Sequence, residues 1–176
     1  MIYEEVILVD ENDNMIGTME KIAAHKVAIL HRAISVFIFN SKGEMLLQKR
    51  ARHKYHCGGK WTNTCCSHPR PGEQTADAAM RRLQEEMGLQ CKLEHIFSFT
   101  YHAIFDNGLY EHEYDHVYIG VTDMAPMPNA LEVEGFAYLK PEEVESDIFQ
   151  NPQKFTPWFK ICFNRVMEHF KTKEND

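Results

Sequence analysis

The chain has 176 residues, of which 44% are hydrophobic, so a single globular domain over residues 1–176 with a substantial core is predicted. The net charge of -7 provides no basic field for nucleic acid or an anionic membrane, so neither is expected as a partner. No apolar run reaches the roughly 18 residues of a membrane span and no signal-peptide pattern is visible, which favours a cytoplasmic protein.

The first half of the chain contains three predicted strands. The stretch "YEEVILVD", residues 3–10, alternates as a strand does, and "ENDN" follows it as a turn. "AISVFIFNSKGEMLLQKRA", residues 33–51, predicts two strands joined through "NSKG" as a hairpin.

A long helix is predicted next, from Gln74 to Leu89, with Gly88 at its C-terminal cap. The apolar residues at helical spacing are Ala76, Ala79, Met80, Leu83 and Met87.

The remainder of the chain predicts two strands, residues 94–105 and 109–122, separated by "DNG". A strand over residues 133–140, a short helix after Pro141 and an amphipathic helix from about Thr156 and Pro157 complete the chain. This order favours an α/β (α+β) sandwich with antiparallel pairs over an alternating parallel sheet.

The segment "WTNTCCSHP", residues 61–69, contains two adjacent cysteines and a histidine. The cysteines are odd in number and irregularly spaced, so a disulfide framework is not expected, and adjacent cysteines close only a strained ring. Thiol chemistry, a metal site and burial remain open for this segment. The five cysteines are Cys57, Cys65, Cys66, Cys91 and Cys162.

"EHEYDH" lies in a strand pattern, so Glu111 and Glu113 are expected on one face and His112 on the other. An exposed acidic strand face is the ordinary interpretation of such a pair. His25, His31 and His68, each expected in or beside a strand or turn, would complete a nitrogen and oxygen site suited to manganese, magnesium, iron or zinc. Taken singly, each histidine is more often a surface or core residue.

The helical segment resembles the signature box of the Nudix superfamily, whose loop and helix bind a divalent metal and a diphosphate. The chain departs from the box at Ser67, in place of glycine, and at Arg82, in place of glutamate. Arg82 shares a helix face with Glu86, where hydrolytic members gather carboxylates around metal, so diphosphate binding is expected and hydrolysis is disfavoured. The matching residues are Glu73, Arg81, Leu83, Glu85, Glu86, Gly88 and Leu89.

Four separated motifs, "EKIAAH", "WTNTCCSHP", "EHEYD" and "TPWFKI", together resemble the type 1 isopentenyl-diphosphate isomerases, which are built on the Nudix fold. The resemblance extends from about Lys21 to Ile161. It implies a Nudix-type α/β/α sandwich with mixed, largely antiparallel sheets. It also implies a small allylic or homoallylic diphosphate as the substrate, with the enzyme a monomer or homodimer.

The resemblance also implies the site residues. Cys66 and Glu113 would be the catalytic pair, with Tyr101 and Trp158 lining the pocket around the hydrocarbon. The groups that bind the diphosphate would be Lys21, Arg50, Lys54 and Arg82. The first metal, Mn2+ or Mg2+, would be held by His25, His31, His68, Glu111 and Glu113, and Glu86 would hold a Mg2+ that touches the diphosphate.

Ordinary interpretations stand beside these roles. Trp158 lies in an apolar helical stripe, where a tryptophan is usually a core residue, and lysines and arginines are usually solvated. Two other functions also remain open: a Nudix hydrolase acting on a nucleoside diphosphate derivative, and a noncatalytic metal or diphosphate binding module.

Overall fold

A mixed β-sheet forms the centre of the protein, and the computed structural model describes residues 4–174. Nine strands belong to the sheet within this range. They are β1 (Glu5–Val9), β2 (Met15–Glu20), β3 (His31–Phe39), β4 (Met45–Arg50), β5 (Trp61–Thr62), β6 (Cys65–Ser67), β7 (Leu93–Ile104), β8 (Tyr110–Val121) and β9 (Val133–Leu139). The helices are α1 (Lys21–Val27), α2 (Thr75–Met87), α3 (Pro141–Gln150) and α4 (Pro157–Glu174).

Strand β3 connects most of the sheet. It runs antiparallel to β1, β4 and β6 and parallel to β8, while β7 pairs with β8 and β9 pairs with β4 in antiparallel fashion. The predicted hairpin between β3 and β4 is confirmed, but only two residue pairs close it before the strands separate. Strand β6 then pairs with β3, and β5 pairs with β4.

Helices cover both faces of the sheet, as the predicted sandwich requires. Side chains of α2 pack with one face of β3, and those of α3 and α4 pack with the other. Because side chains alternate along a strand, the adjacent cysteines of β6 separate. Cys65 joins the core under α2, whereas Cys66 packs against the core under α4.

Helix α2 has the predicted cap, since Gly88 adopts a left-handed φ of 66° at its C-terminal end. Its buried face differs from the prediction: Ala76 and Met80 are exposed, while Ala78 and Glu86 are buried. The other three predicted residues are buried as expected: Ala79, Leu83 and Met87.

Strand β2 and helix α1 were absent from the sequence prediction. The strand has no buried residue, and the helix has only 7 residues, so neither shows a hydrophobic period. The Glu20 side chain accepts hydrogen bonds from the amides of Ile22 and Ala23, which begins α1. His25 therefore lies on a helix, and its expected place in or beside a strand or turn was wrong.

The predicted first strand is confirmed from Glu5 onward, whereas Tyr3 lies outside the described residues. Among residues 4–174, no helix has the length and apolar character needed to cross a membrane.

Candidate active site

Strand register places three of the predicted site residues in a row across the sheet. His31 on β3 is opposite Glu113 on β8, and Glu113 is opposite Tyr101 on β7. Paired residues on neighbouring strands project from the same face, about 5 Å apart. On the other side of β3, Cys66 is opposite Ser35 and joins the same face. The register therefore gathers residues that are far apart in the sequence.

Glu111 and Glu113 do lie on one face of β8, and both are buried, with relative exposures of 2% and 6%. The ordinary interpretation of an exposed acidic face is therefore wrong for this pair. The Tyr101 hydroxyl lies 2.6 Å from a carboxylate oxygen of each glutamate. Because one hydroxyl donates one proton, the second of these contacts requires a proton on a carboxyl group.

The two glutamates have opposite pKa shifts. Burial and the charge of Glu113 raise the pKa of Glu111 to about 8, so Glu111 is the member of the pair that holds a proton more readily. Although burial opposes it, contact with His31 and His68 holds the pKa of Glu113 well below its usual range. Glu113 is therefore the ionised member of the pair.

Three histidines surround Glu113 in the form of a metal site. One ligand atom from each of His25, His31, His68 and Glu113 lies within 4.8 Å of all the others, and all four residues are buried. The Nε2 atom of His68 is 2.9 Å from the Glu113 carboxylate, and that of His31 is 3.6 Å away. A nitrogen-rich set with one carboxylate suits a divalent transition metal.

The proton positions on two of these rings support a cation site. Nδ1 of His25 donates to the Lys21 carbonyl at 2.7 Å, and Nδ1 of His31 donates to the Ile29 carbonyl at 2.8 Å. In its neutral form each ring then presents the Nε2 lone pair inward, where neither Nε2 atom has a hydrogen-bond partner. Buried lone pairs that face a carboxylate need a cation between them, so the residues fit a metal ion.

The four predicted diphosphate cations line one cavity together with the predicted catalytic residues. Arg50 is 5% exposed, so it is not an ordinary solvated cation, and its Nη1 is 3.6 Å from the Cys66 sulfur. Lys54 pairs with Glu132. The cavity is lined by Lys21, Ser35, Arg50, Lys54, Tyr55, His56, Cys66, Ser67, His68, Arg82, Tyr101, Glu111, Glu113 and Trp158.

Glu86, on helix α2, is held by one partner on the same helix and one on strand β4. Arg82 donates to one of its oxygens at 2.6 Å, and Gln48 donates to the other at 2.9 Å. Glu86 belongs to neither of the two candidate metal groups found among the described residues, so its Mg2+ role stays a prediction.

Cys66 on β6 and Trp158 on α4 both line the cavity. All five cysteines are free thiols, as expected. Burial raises the pKa of Cys66 to about 12 despite the neighbouring Arg50, so this thiol keeps its proton. The Trp158 ring lies 5.4 Å from the Arg50 guanidinium and packs in the core, so the core interpretation is confirmed and its role toward the substrate stays a prediction.

Sequence reasoning missed His56, which is buried in the cavity wall between Glu111 and Arg50. Ser35 and Tyr55 also line the cavity and were missed. The one available signal for His56 was a histidine beside a cysteine in the glycine-containing loop "KYHCGG", and this pattern specifies no chemistry.

Comparison with known proteins first defines the class. Residues 29–159 match the NUDIX domain, and the chain belongs to the Nudix family. Solved structures share the fold: DR0079 from Deinococcus radiodurans has a TM-score of 0.71 at 20% identity, covering 84% of this chain and 90% of that one. The MutT protein from Methanosarcina mazei Go1 has a TM-score of 0.67 at 18% identity, covering 81% and 96% of the two chains.

Similar sequences then define the branch of the family. The isopentenyl-diphosphate Delta-isomerase of Pectobacterium atrosepticum is 51% identical over 172 residues, which cover 98% of this chain and 96% of that protein. Isopentenyl-diphosphate Delta-isomerase 2 of Aromatoleum aromaticum is 49% identical over 164 residues, covering 93% and 87%. Within the Nudix family, the chain therefore belongs with the isopentenyl-diphosphate Delta-isomerases.

Proposed function

We propose that this chain converts isopentenyl diphosphate into dimethylallyl diphosphate by moving the carbon–carbon double bond. A proton is added to the terminal alkene carbon and another is removed from the carbon next to the diphosphate-bearing carbon, so the reaction needs no redox partner. The observation that carries the proposal is one cavity lined by a thiol, a carboxylate and four cations. Near-complete alignment with isopentenyl-diphosphate Delta-isomerases supports the same reaction.

Cys66 and Glu113 are the proposed acid and base. An alkene is a weak base, so the acid must be held in contact with it and shielded from water. Burial raises the pKa of Cys66, so the thiol holds the proton that it would donate, and contacts with His31 and His68 lower the pKa of Glu113, so its carboxylate is ionised as a base must be. In this arrangement Cys66 donates and Glu113 accepts, and the two exchange roles in the reverse reaction.

Trp158 and Tyr101 have different proposed tasks. Protonation of the alkene creates positive charge at a tertiary carbon, and the ring face of Trp158 attracts it by roughly 0.5 to 2 kcal/mol. Tyr101 bonds to both glutamates, so it orients the carboxylate that accepts the proton.

Lys21, Arg50, Lys54 and Arg82 are the proposed diphosphate contacts. A diphosphate brings several negative charges, and guanidinium groups bind phosphate oxygens in paired hydrogen bonds. Three of these cations already have carboxylate partners, which hold their side chains at the cavity when no substrate is present. Lys21 pairs with Glu4, Lys54 with Glu132 and Arg82 with Glu86.

A divalent metal, Mn2+ or Mg2+, is proposed at His25, His31, His68, Glu111 and Glu113, with a further Mg2+ near Glu86 when the diphosphate is bound. The free inward lone pairs of His25 and His31 support the first site. A metal bound there supplies positive charge that stabilises the buried carboxylates. The enzyme is proposed to work in the cytoplasm as a monomer or homodimer.

A Nudix hydrolase acting on a nucleoside diphosphate derivative is the alternative. Such an enzyme needs helix carboxylates that are free to bind metal. Here Arg82 replaces one of them and neutralises Glu86, and a hydrolase gives the buried thiol of Cys66 no task. These features favour the isomerase.

The test incubates the protein with isopentenyl diphosphate and Mg2+ or Mn2+ in D2O. The expected products are dimethylallyl diphosphate and deuterium-labelled isoprenyl diphosphates, without phosphate release. Cys66→Ala should abolish turnover while Mn2+ binding is retained. Phosphate or pyrophosphate release from nucleoside diphosphate derivatives, unaffected by Cys66→Ala, would instead support the hydrolase.

A further inference from the structure

His56 is a buried histidine that the proposed reaction leaves without a role. It lies on the loop between β4 and β5 and is 5% exposed. Its Nε2 atom makes a close contact with Oε1 of Glu111, and His56, His25 and Glu111 form the second group of candidate metal ligands within residues 4–174. A buried polar ring in contact with a predicted ligand needs an explanation.

The neighbour on the other side of the ring fixes the proton of His56. Nη2 of Arg50 lies 3.4 Å from Nδ1 of His56 and 3.3 Å from its backbone carbonyl. A guanidinium can only donate, so Nδ1 must accept and the ring proton must lie on Nε2. The ring proton is then on Nε2, which contacts Oε1 of Glu111 but makes no aligned hydrogen bond in this structure.

Aromatic packing holds the ring in this orientation. The ring centroid of Tyr55 is 4.1 Å from that of His56, that of Phe105 is 4.9 Å away, and that of Trp158 is 5.8 Å away. Three rings leave the imidazole little freedom to rotate, so they keep its Nε2 atom against the Glu111 carboxylate.

We propose that His56 is a positioning residue that orients Glu111 toward the metal through an Nε2–H hydrogen bond to Oε1. This inference rests on the proposed function, because it assumes that Glu111 is a metal ligand. Oxygen Oε2 of Glu111 is already near the Tyr101 hydroxyl. With His56 on Oε1, both oxygens are directed by the protein, and the carboxylate plane is fixed. Outer partners of this kind typically affect metal affinity by 10- to 100-fold.

The test compares variants of His56 by titrating Mn2+ into the metal-free protein and measuring the dissociation constant by calorimetry. His56→Phe keeps the ring but removes the donor, and it should weaken Mn2+ binding by about 10- to 100-fold. His56→Gln carries an amide nitrogen at the distance of Nε2 and should bind Mn2+ nearly as the unmodified protein does. His56→Asn is one bond shorter and should behave like the phenylalanine variant.

The exposed His53 on the same loop provides the matched control, since His53→Phe should leave Mn2+ affinity unchanged. In a Glu111→Ala background, His56→Phe should have no further effect on Mn2+ affinity, because the acceptor is gone. Full Mn2+ affinity in His56→Phe would overturn the proposal, as would equal defects in the glutamine and asparagine variants. If His56→Phe fails to fold, that glutamine–asparagine comparison decides the matter.

Mn2+ binding is measured without substrate, so this result is separate from the isomerase assay. An unmodified protein that binds Mn2+ but does not isomerise isopentenyl diphosphate overturns the proposed function and leaves the His56 test valid. Loss of turnover in His56→Phe with rescue in His56→Gln would support both.

Discussion

The negative charges of helix α2 and those of strand β8 are compensated in different ways. On the helix and the loop before it, Glu73, Glu85 and Glu86 form ion pairs with Arg81 or Arg82 at 2.6 to 3.1 Å. On the strand, Glu111 and Glu113 are buried, and among residues 4–174 no lysine or arginine lies within ion-pair distance of their carboxyl groups, which contact histidines instead. The helix carries its own cations, whereas the strand needs one from solution.

The residues that identify the family therefore lie on and beside helix α2, whereas the proposed acid and base lie on the sheet. The Nudix box identifies helix α2, but Arg81 and Arg82 hold its carboxylates in an ion-paired network. The uncompensated pair on β8 lies beside Cys66 and Trp158 in the cavity. Catalysis is therefore expected on the sheet, and the following experiments compare the two regions.

The largest effect is expected from Cys66→Ala, which should lower kcat by about 10^2- to 10^4-fold because it removes the proposed proton donor. Glu85→Gln, in the half-exposed part of the helix network, should leave kcat nearly unchanged. Turnover of isopentenyl diphosphate measures both. Equal losses in the two variants would show that catalysis depends on the helix as much as on the sheet, contrary to the comparison.

Mn2+ should stabilise the protein through the strand cluster. At 100 times its dissociation constant, the ion should raise the free energy of unfolding by about 2.7 kcal/mol, and a chelator should reverse the gain. Urea unfolding with and without Mn2+ measures this. The gain should vanish in His31→Ala and persist in Glu86→Gln, and the opposite pattern would assign the ion to the helix.

Arg82→Ala should destabilise the protein by about 2 kcal/mol, because it leaves the buried Glu86 carboxylate without its cation. The matched control is Arg70→Ala, whose exposed guanidinium lies 4.0 Å from Glu85 and should contribute little to stability. Urea unfolding compares the variants. Adding Glu86→Gln to Arg82→Ala should recover part of the loss, and no recovery would argue against the ion pair.

The smallest effect is expected from Trp158→Phe. The phenyl face attracts positive charge less strongly than indole, so kcat should fall by about two- to fivefold, equivalent to about 0.5 to 1 kcal/mol. Phe163→Leu changes the same α4 core away from the cavity lining and should alter stability without altering kcat. Similar kcat losses in both would assign Trp158 to packing alone.

Much of the fold could be predicted from local patterns. The hairpin turn before β4 and the glycine cap of α2 depend on residues close together in the chain, and both were predicted. Helix α1 and strand β2 could not be, because one is too short and the other too exposed to show a period. That gap placed His25 in the wrong kind of element.

The candidate site depends on strand register, which local patterns do not encode. His31 and Glu113 become neighbours because β3 and β8 run parallel, and this pairing joins residues 82 positions apart. Family resemblance supplied these residues where spacing could not. His56 had neither a motif nor a period, and its contacts with Glu111 and Arg50 become visible only in three dimensions.

The β-sheet also places two chemically identical neighbours, Cys65 and Cys66, on opposite faces. Cys65 is fully buried under α2, while Cys66 opens into the cavity. An electrophile attached to a diphosphate mimic would therefore meet a single thiol. Since the pKa of Cys66 is about 12, simple alkylating agents should react with it slowly at neutral pH. A covalent inhibitor would gain its selectivity from docking in the cavity, with Cys65 as an internal unlabelled reference.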